Sequence, residues 1–167
     1  MKRLLCIAVA LVMLVSCTHG NGGDPFSVFA NDFEAEISSQ IGNGICKYIY
    51  KSAEKSIIFT YPEEIAGIVL IADGYGASLS FDGISIEVSQ YAGRLVLICE
   101  SVFSQKKDAI SSISVSEGKA GTLTVVKTAD YTYTFSGDGA PMSVSGIYDG
   151  MPFEMTLIEF AARGVQK

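Results

Sequence analysis

The feature that most constrains this chain is an alternation of apolar and polar residues with a period of two, renewed from Phe33 onward. Phe33, Ala35 and Ile37 share a face opposite Glu34, Glu36 and Ser38. Ala77, Leu79 and Phe81 alternate with Ser78 and Ser80, and Ile84, Ile86 and Val88 with Ser85 and Glu87. Ile57, Phe59 and Tyr61, then Tyr131, Tyr133 and Phe135, then Phe153, Met155 and Leu157 repeat the pattern. A β-strand sends successive side chains to opposite faces, so each run predicts a strand with one buried face. Less regular strands are expected near 45–51, 67–72, 110–115, 122–127 and 142–147, giving about ten in all. Asp82-Gly83 lies between two alternating runs, and Asp73-Gly74, Glu117-Gly118, Gly137-Asp138-Gly139 and Asp149-Gly150 repeat its turn chemistry. Connections this short make consecutive strands antiparallel neighbours, without the crossovers of a parallel sheet.

Two segments read as helical. Asp24-Pro25 offers a capping residue and a first-turn proline ahead of Phe26 to Ala30. From Tyr91 to Lys106, Leu95, Cys99, Val102 and Phe103 form a helical stripe, with Lys106-Lys107 at the negative end of the dipole. Leu95 to Cys99 is also a continuous apolar run, which admits a buried strand instead. Ten strands ~4.8 Å apart and ~17 Å long present a face of about 800 Å². A four-turn helix covers only about 220 Å². The sheet must therefore curl so that its apolar face meets itself as well as the helix. The expected fold is α+β and mainly β: a curved antiparallel sheet of about ten strands, an unclosed half-barrel, wrapped on one long and one short helix. Such a shape leaves room for an apolar hollow.

The N-terminus specifies a destination. Lys2-Arg3 precedes an unbroken apolar run from Leu4 to Val15, well short of the ~20 residues a permanent membrane helix needs. The run ends in Leu14-Val15-Ser16-Cys17, which resembles a bacterial lipobox at every position. There the cysteine thiol accepts a diacylglycerol, and the small residues beside the scissile bond let the chain enter a narrow peptidase cleft. An ordinary secretory signal with an incidental cysteine is the alternative. The lipobox reading divides the chain into a signal at 1–16, a tether at 17–24 and a folded domain at 25–162, and it discards Cys6. The tether, Thr18 to Asp24, is glycine-rich and polar, and His19 lies solvated within it. The resemblance implies attachment through diacylglyceryl-Cys17 to the extracytoplasmic face of the cell membrane, where two or more acyl chains hold stably.

A second resemblance concerns the folded part. Tyr61-Pro62-Glu63-Glu64-Ile65-Ala66-Gly67 resembles the strand, Pro-Glu and glycine corner of LolA/LolB-like half-barrel lipoproteins, in particular their relatives of Gram-positive type. The run Ile71 to Val88 is similar to the next two hairpin strands, and Gly139-Ala140-Pro141-Met142-Ser143-Val144 with the last strand through Phe160 is similar to the C-terminal end. The likeness covers Phe26 to Phe160 and contains no catalytic signature. It implies an unclosed barrel on helices whose cavity takes an acyl chain or similar hydrophobe, carried or presented by the protein.

Composition removes most chemistry. The net charge of −6, with no basic stripe, argues against a nucleic-acid partner. The sequence holds a single His, which leaves a serine triad without its base, and no G-x-S-x-G elbow occurs. Gly74-Tyr75-Gly76 lacks the third glycine of a dinucleotide site, and the Asp-Gly pairs have no calcium-loop spacing. Glu34/Glu36 and Glu63/Glu64 read as solvated acids on a strand face and a turn rather than a glycosidase pair. No catalytic residue, metal ligand or cofactor is assigned. Cys46 and Cys99 remain after processing, either as buried free thiols or as a disulfide. Phe59, Phe81, Ile86, Tyr133, Phe135 and Met155 are the candidate ligand-binding residues, and both readings of the aromatics stay open: lining of a lipid cavity, or ordinary packed core. Two functions follow, a membrane-anchored binder of a lipid or other hydrophobe, and a non-enzymatic module with a closed core that meets an envelope protein.

Overall fold

The computed structural model describes residues 23–41, 44–72, 75–118 and 121–162. The signal, Cys17, His19 and the Asp73-Gly74 turn lie outside the described residues. The elements in chain order are β1 (Phe33–Ile41), β2 (Gly44–Lys51), β3 (Ser56–Tyr61), β4 (Val69–Ala72), β5 (Ala77–Phe81), β6 (Ile84–Val88), α1 (Arg94–Phe103), β7 (Ser112–Gly118), β8 (Gly121–Lys127), β9 (Tyr131–Ser136), β10 (Pro141–Tyr148) and β11 (Met151–Ala162). The strands form one antiparallel sheet in the order β6-β5-β4-β3-β2-β1-β11-β10-β9-β8-β7. The first and last strands meet in the middle, each wing is a run of hairpins, and α1 links the two free edges, β6 and β7. The sheet is open.

The eleven strands fall on the alternating and less regular segments anticipated above. Asp82 and Gly83 both have positive φ (48° and 79°), as do Asp149 and Gly150 (49° and 76°), the conformation a tight two-residue hairpin demands. The helices differ from expectation. The segment after Asp24 is a 3₁₀ turn, Pro25–Phe29, so α1 is the only α-helix among the described residues rather than the longer of two. The cap is as expected, with Asp24 accepting a hydrogen bond from the Phe26 N–H. Phe26 and Phe29, three residues apart, both point into the core, and the three-residue repeat of a 3₁₀ turn superimposes such a pair. α1 is also shorter than Tyr91 to Lys106. It starts after Gly93, where an added Cβ would lie 2.7 Å and 3.0 Å from the methyl groups of Ala72 and Ala77. It stops at Ser104, whose N–H donates to the Glu100 carbonyl, and the Gln105 amide donates to Ser101 O at 3.0 Å. Lys106 and Lys107 lie beyond its last turn, so their match to the dipole is not realised. Leu95 to Cys99 is helix, and Cys46 and Cys99 are free thiols.

Register defines the inner face. Ile37 faces Tyr48 across β1–β2, Tyr50 faces Ile57 across β2–β3, and Ile57 faces Leu70 across β3–β4, and all are buried. On the other wing Met155 faces Val144, Val144 faces Tyr133 and Tyr133 faces Val126. In β11 the inward set moves from odd to even numbers, Leu157 then Phe160. A bulge absorbs the step: Ile37 pairs with Leu157 while Ala35 pairs with Phe160. Gly146 lets the wing close up, because a Cβ there would run into the Asp130 carbonyl and lie 2.6 Å from the Tyr131 ring.

Helix α1 lies on this inner face and buries Leu95, Val96, Ile98, Cys99, Val102 and Phe103. Phe103 is the centre of an aromatic cluster, with ring centroids 5.0 Å from Phe29, 5.2 Å from Phe33 and 5.6 Å from Tyr50. Polar groups that enter the core are paired. Tyr133 Oη donates to the Val102 carbonyl at 2.8 Å, tying the sheet to the end of the helix. Ser101 Oγ and Tyr131 Oη lie 2.7 Å apart, and Tyr48 Oη lies 2.7 Å from Ser39 Oγ and 3.8 Å from Cys99 Sγ. No buried side-chain polar atom among the described residues lacks a partner.

Candidate functional site

The six candidate ligand residues do not converge on one cavity. Tyr133, Phe135 and Met155 sit under α1 and the Pro25–Phe29 turn, fully enclosed. Phe26 packs edge-on against Tyr133 at 4.9 Å, and Phe29 approaches Phe135 at 6.4 Å. Phe59 is half-buried at the border of the core, 6.3 Å from the Tyr48 ring. Phe81 and Ile86 lie at the open end of the same face and are 56% and 57% exposed.

That open end is built by hairpin chemistry. Phe81 pairs with Ile84 and Leu79 with Ile86 across β5–β6, while Leu79 faces the buried Leu70 across β4–β5. Leu79, Phe81, Ile84 and Ile86 therefore continue the inner face beyond the reach of the helix. Ile84 is 71% exposed. The Phe81 ring edge lies over Gly67, at the corner that follows the cis Tyr61-Pro62 bond. Acidic side chains rim the strip: Glu63 and Glu64 in the 3₁₀ turn Glu63–Ile65, and Asp82 in the hairpin turn, all exposed. This apolar lip has the shape and chemistry to take a hydrophobe on one side only.

The opposite edge has a lip of its own, which sequence reasoning missed. Ile113 faces the buried Val126, and Val115 faces Thr124, so both are on the inner face, yet they are 53% and 64% exposed. The signal was the alternation Ser112-Ile113-Ser114-Val115-Ser116, obscured by placing the strand at 110–115.

Open clefts lie at the end of β4–β6 and beside α1. One, of about 650 Å³, lies at the end of β4–β6 and is lined by Ile71, Tyr75, Ala77, Glu87, Val88 and Gln90 among others. The second, of about 610 Å³, opens beside the C-terminal half of α1 between Phe29, Tyr50, Leu97 and Tyr148, and the Lys55–Glu100 ion pair (2.7 Å) lies at it. Both are grooves of mixed polarity rather than an enclosed hollow. The space between sheet and helix is filled by the Phe29, Phe33, Tyr50 and Phe103 rings.

The titratable groups serve structure. Burial pushes the Cys99 thiol up to about 12, and Cys46 and Tyr48 upward for the same reason. Burial likewise raises Tyr50 and Tyr133. Thiols held protonated in this way are poor nucleophiles. Glu34 lies 4.0 Å from Lys51, and no cluster of three or more metal-ligating side chains occurs among the described residues.

No family model matches the sequence, and no curated protein matches it at a significant level. Among solved structures the chain is similar to the Mycobacterium tuberculosis lipoprotein LppX, with a TM-score of 0.47 and 8% identity over 86% of this chain and 94% of that chain. It is similar to LprF from Mycobacterium bovis, with a TM-score of 0.41 and 6% identity over 84% of this chain and 94% of that chain. A LolA superfamily protein from Nitrosomonas europaea matches with a TM-score of 0.36 and 8% identity over 86% of this chain and 96% of that chain. The fold is an open antiparallel sheet folded over α1, and the function is argued from this chain's own residues.

Proposed function

We propose that the chain is a non-enzymatic extracytoplasmic lipoprotein, held at the cell membrane by diacylglyceryl-Cys17, that holds an acyl chain or similar hydrophobe against the bare inner face of β5 and β6. The observation that carries this reading is the exposure of Phe81, Ile84 and Ile86 on a face that is buried at the middle of the sheet. A contiguous apolar strip rimmed by charge is the usual sign of a binding surface. A fully buried methylene contributes about 0.8 kcal/mol and one laid on a one-sided strip roughly half of that, so a long chain still gains several kcal/mol without a closed cavity. The site differs from the hollow anticipated from the sheet's area, because the aromatic cluster occupies that volume.

A second reading has its own support. The filled interior, with Phe29 and Phe103 5.0 Å apart, suits a module that meets an envelope protein through its surface. One experiment addresses both. Cells making the full-length chain are fed a photoactivatable fatty acid, irradiated, and the labelled peptides mapped. Label on Cys17 and on 77–88, with the second lost in Ile86→Glu, is the expected result. Label confined to Cys17, with β5–β6 peptides cross-linked to another protein, would replace the first reading with the second. No label at Cys17 would remove the anchor.

A further inference from the structure

The two free edges of the sheet are unlike each other. Natural edges are blunted by lysine, proline, bulges or short length, since an unpaired strand is a template for another. Strand β6 is short, follows Asp82 in the hairpin turn and contains Glu87. Strand β7 has no lysine, no proline and one acid, Glu117, and every residue in it is exposed. Its inner-face pair, Ile113 and Val115, is uncovered, while its outer face carries only serine.

The order of those residues has a symmetry. Ser112-Ile113-Ser114-Val115-Ser116 reads alike in both directions from Ser114. Two such strands laid antiparallel and registered on Ser114 set Ile113 of one copy against Val115 of the other, twice, and serine against serine on the opposite face. That is the self-complementarity a twofold interface requires. Charge follows the same operation. Lys106 and Lys107 precede the strand, and Lys127 is the cross-strand neighbour of Ser112, so lysines outnumber Asp108 and Asp130 at its N-terminal end. Glu117 stands near its other end. The twofold operation brings each Glu117 to the basic end of the other copy. The same operation at β6 would bring acids together. Pairing β6 with β7 of the next copy is head-to-tail and lacks the self-complementarity of the β7–β7 pair.

We propose that β7 is a docking edge for a second copy of this chain, joined by antiparallel β7–β7 pairing centred on Ser114. The proposal does not depend on the hydrophobe at β5–β6, which lies on the other wing. The strip is about 17 Å long and ~10 Å deep, far less than the ~800 Å² per partner of a stable dimer, so the pairing is transient and best trapped covalently.

The test is disulfide trapping of the full-length chain in cells, with the unsubstituted chain as background for the native cysteines. In the centred register position 114 faces itself at a Cα separation of about 5 Å, within disulfide reach, whereas the two 112 positions are ~14 Å apart. Ser114→Cys is expected to give at least about fivefold more cross-linked dimer than Ser112→Cys or Ser116→Cys alone. Chains carrying Ser112→Cys and Ser116→Cys, made together, are expected to restore the dimer. The surface serine at 114 is exposed, and the mixed pair keeps the test valid if that variant misfolds. Equal cross-linking at all three positions, or none above background at any, overturns the proposal. So does preferential joining of Ser114→Cys to Ser85→Cys on β6, or to a different protein.

Discussion

Met155 and Ile86 both stand on the inner face of the same sheet, each flanked by polar neighbours in an alternating strand, yet Met155 is 0% exposed and Ile86 57%. The middle of the sheet, β1–β3 with β9–β11, is covered by α1 and the Pro25–Phe29 turn; the β5–β6 and β7 edges are not. The alternating pattern decides which face a side chain joins, but the reach of the covering elements decides whether that face is dry. A ten-residue helix, about 15 Å long, spans only a few strand spacings of an eleven-stranded sheet. The uncovered remainder of the apolar face is what the chain has available for binding.

Substitutions sharpen this contrast. Phe103→Ala removes the ring that Phe29, Phe33 and Tyr50 pack against, and is expected to cost about 3–5 kcal/mol in urea unfolding. A loss below about 1 kcal/mol would mean the centre is not the dry core described. Gly146→Ala places a methyl against the Tyr131 ring and the Asp130 carbonyl, and is expected to cost about 1–3 kcal/mol by the same measurement.

Alkaline pH acts through the centre as well. The Cys99 thiol is held neutral to about 12 in the folded chain, against 9.0 when unperturbed. Its contribution to stability is whole below pH 9.0 and is lost as pH rises toward about 12, because the unfolded chain releases the proton first. The expected slope is about 1.4 kcal/mol per pH unit within that window, with Tyr48, Tyr50 and Tyr133 adding to it above 10.0. Cys99→Ala is expected to flatten the first part of the pH profile of unfolding. An unchanged profile would place the thiol in contact with water.

The smallest effect is expected at the edges. Ile86→Ser and Ile113→Ser remove large apolar side chains of the same kind and should change stability by no more than about 0.5 kcal/mol. A cost comparable to that of Phe103→Ala would show that the lips are covered in solution.

Much of the fold was legible because strands and turns are local. The alternation assigned a face to the regular strands, and Asp82-Gly83 and Asp149-Gly150 adopt the positive φ their sequence demands. The ends of α1 were not legible. Its start is set by the methyl groups of Ala72 and Ala77 against Gly93, a contact between residues far apart in the chain. The bulge that turns Phe160 inward was hidden for a similar reason, since it depends on the pairing of β11 with β1. The candidate site was half legible. Phe81 and Ile86 on the one hand, and Tyr133, Phe135 and Met155 on the other, carry the same pattern, and only the position of the helix separates bare surface from filled core. The bare pair on β7, Ile113 and Val115, follows the same rule and was masked by a two-residue error in where the strand begins.

Hydrogen exchange of the full-length protein, with and without a long-chain fatty acid held below its micelle concentration, tests the binding lip most directly. The account expects added protection in residues 77–88, with β9 and β11 unchanged because they are already shielded. Exchange at 77–88 that does not respond to the fatty acid, or protection gained under the helix instead, would contradict it.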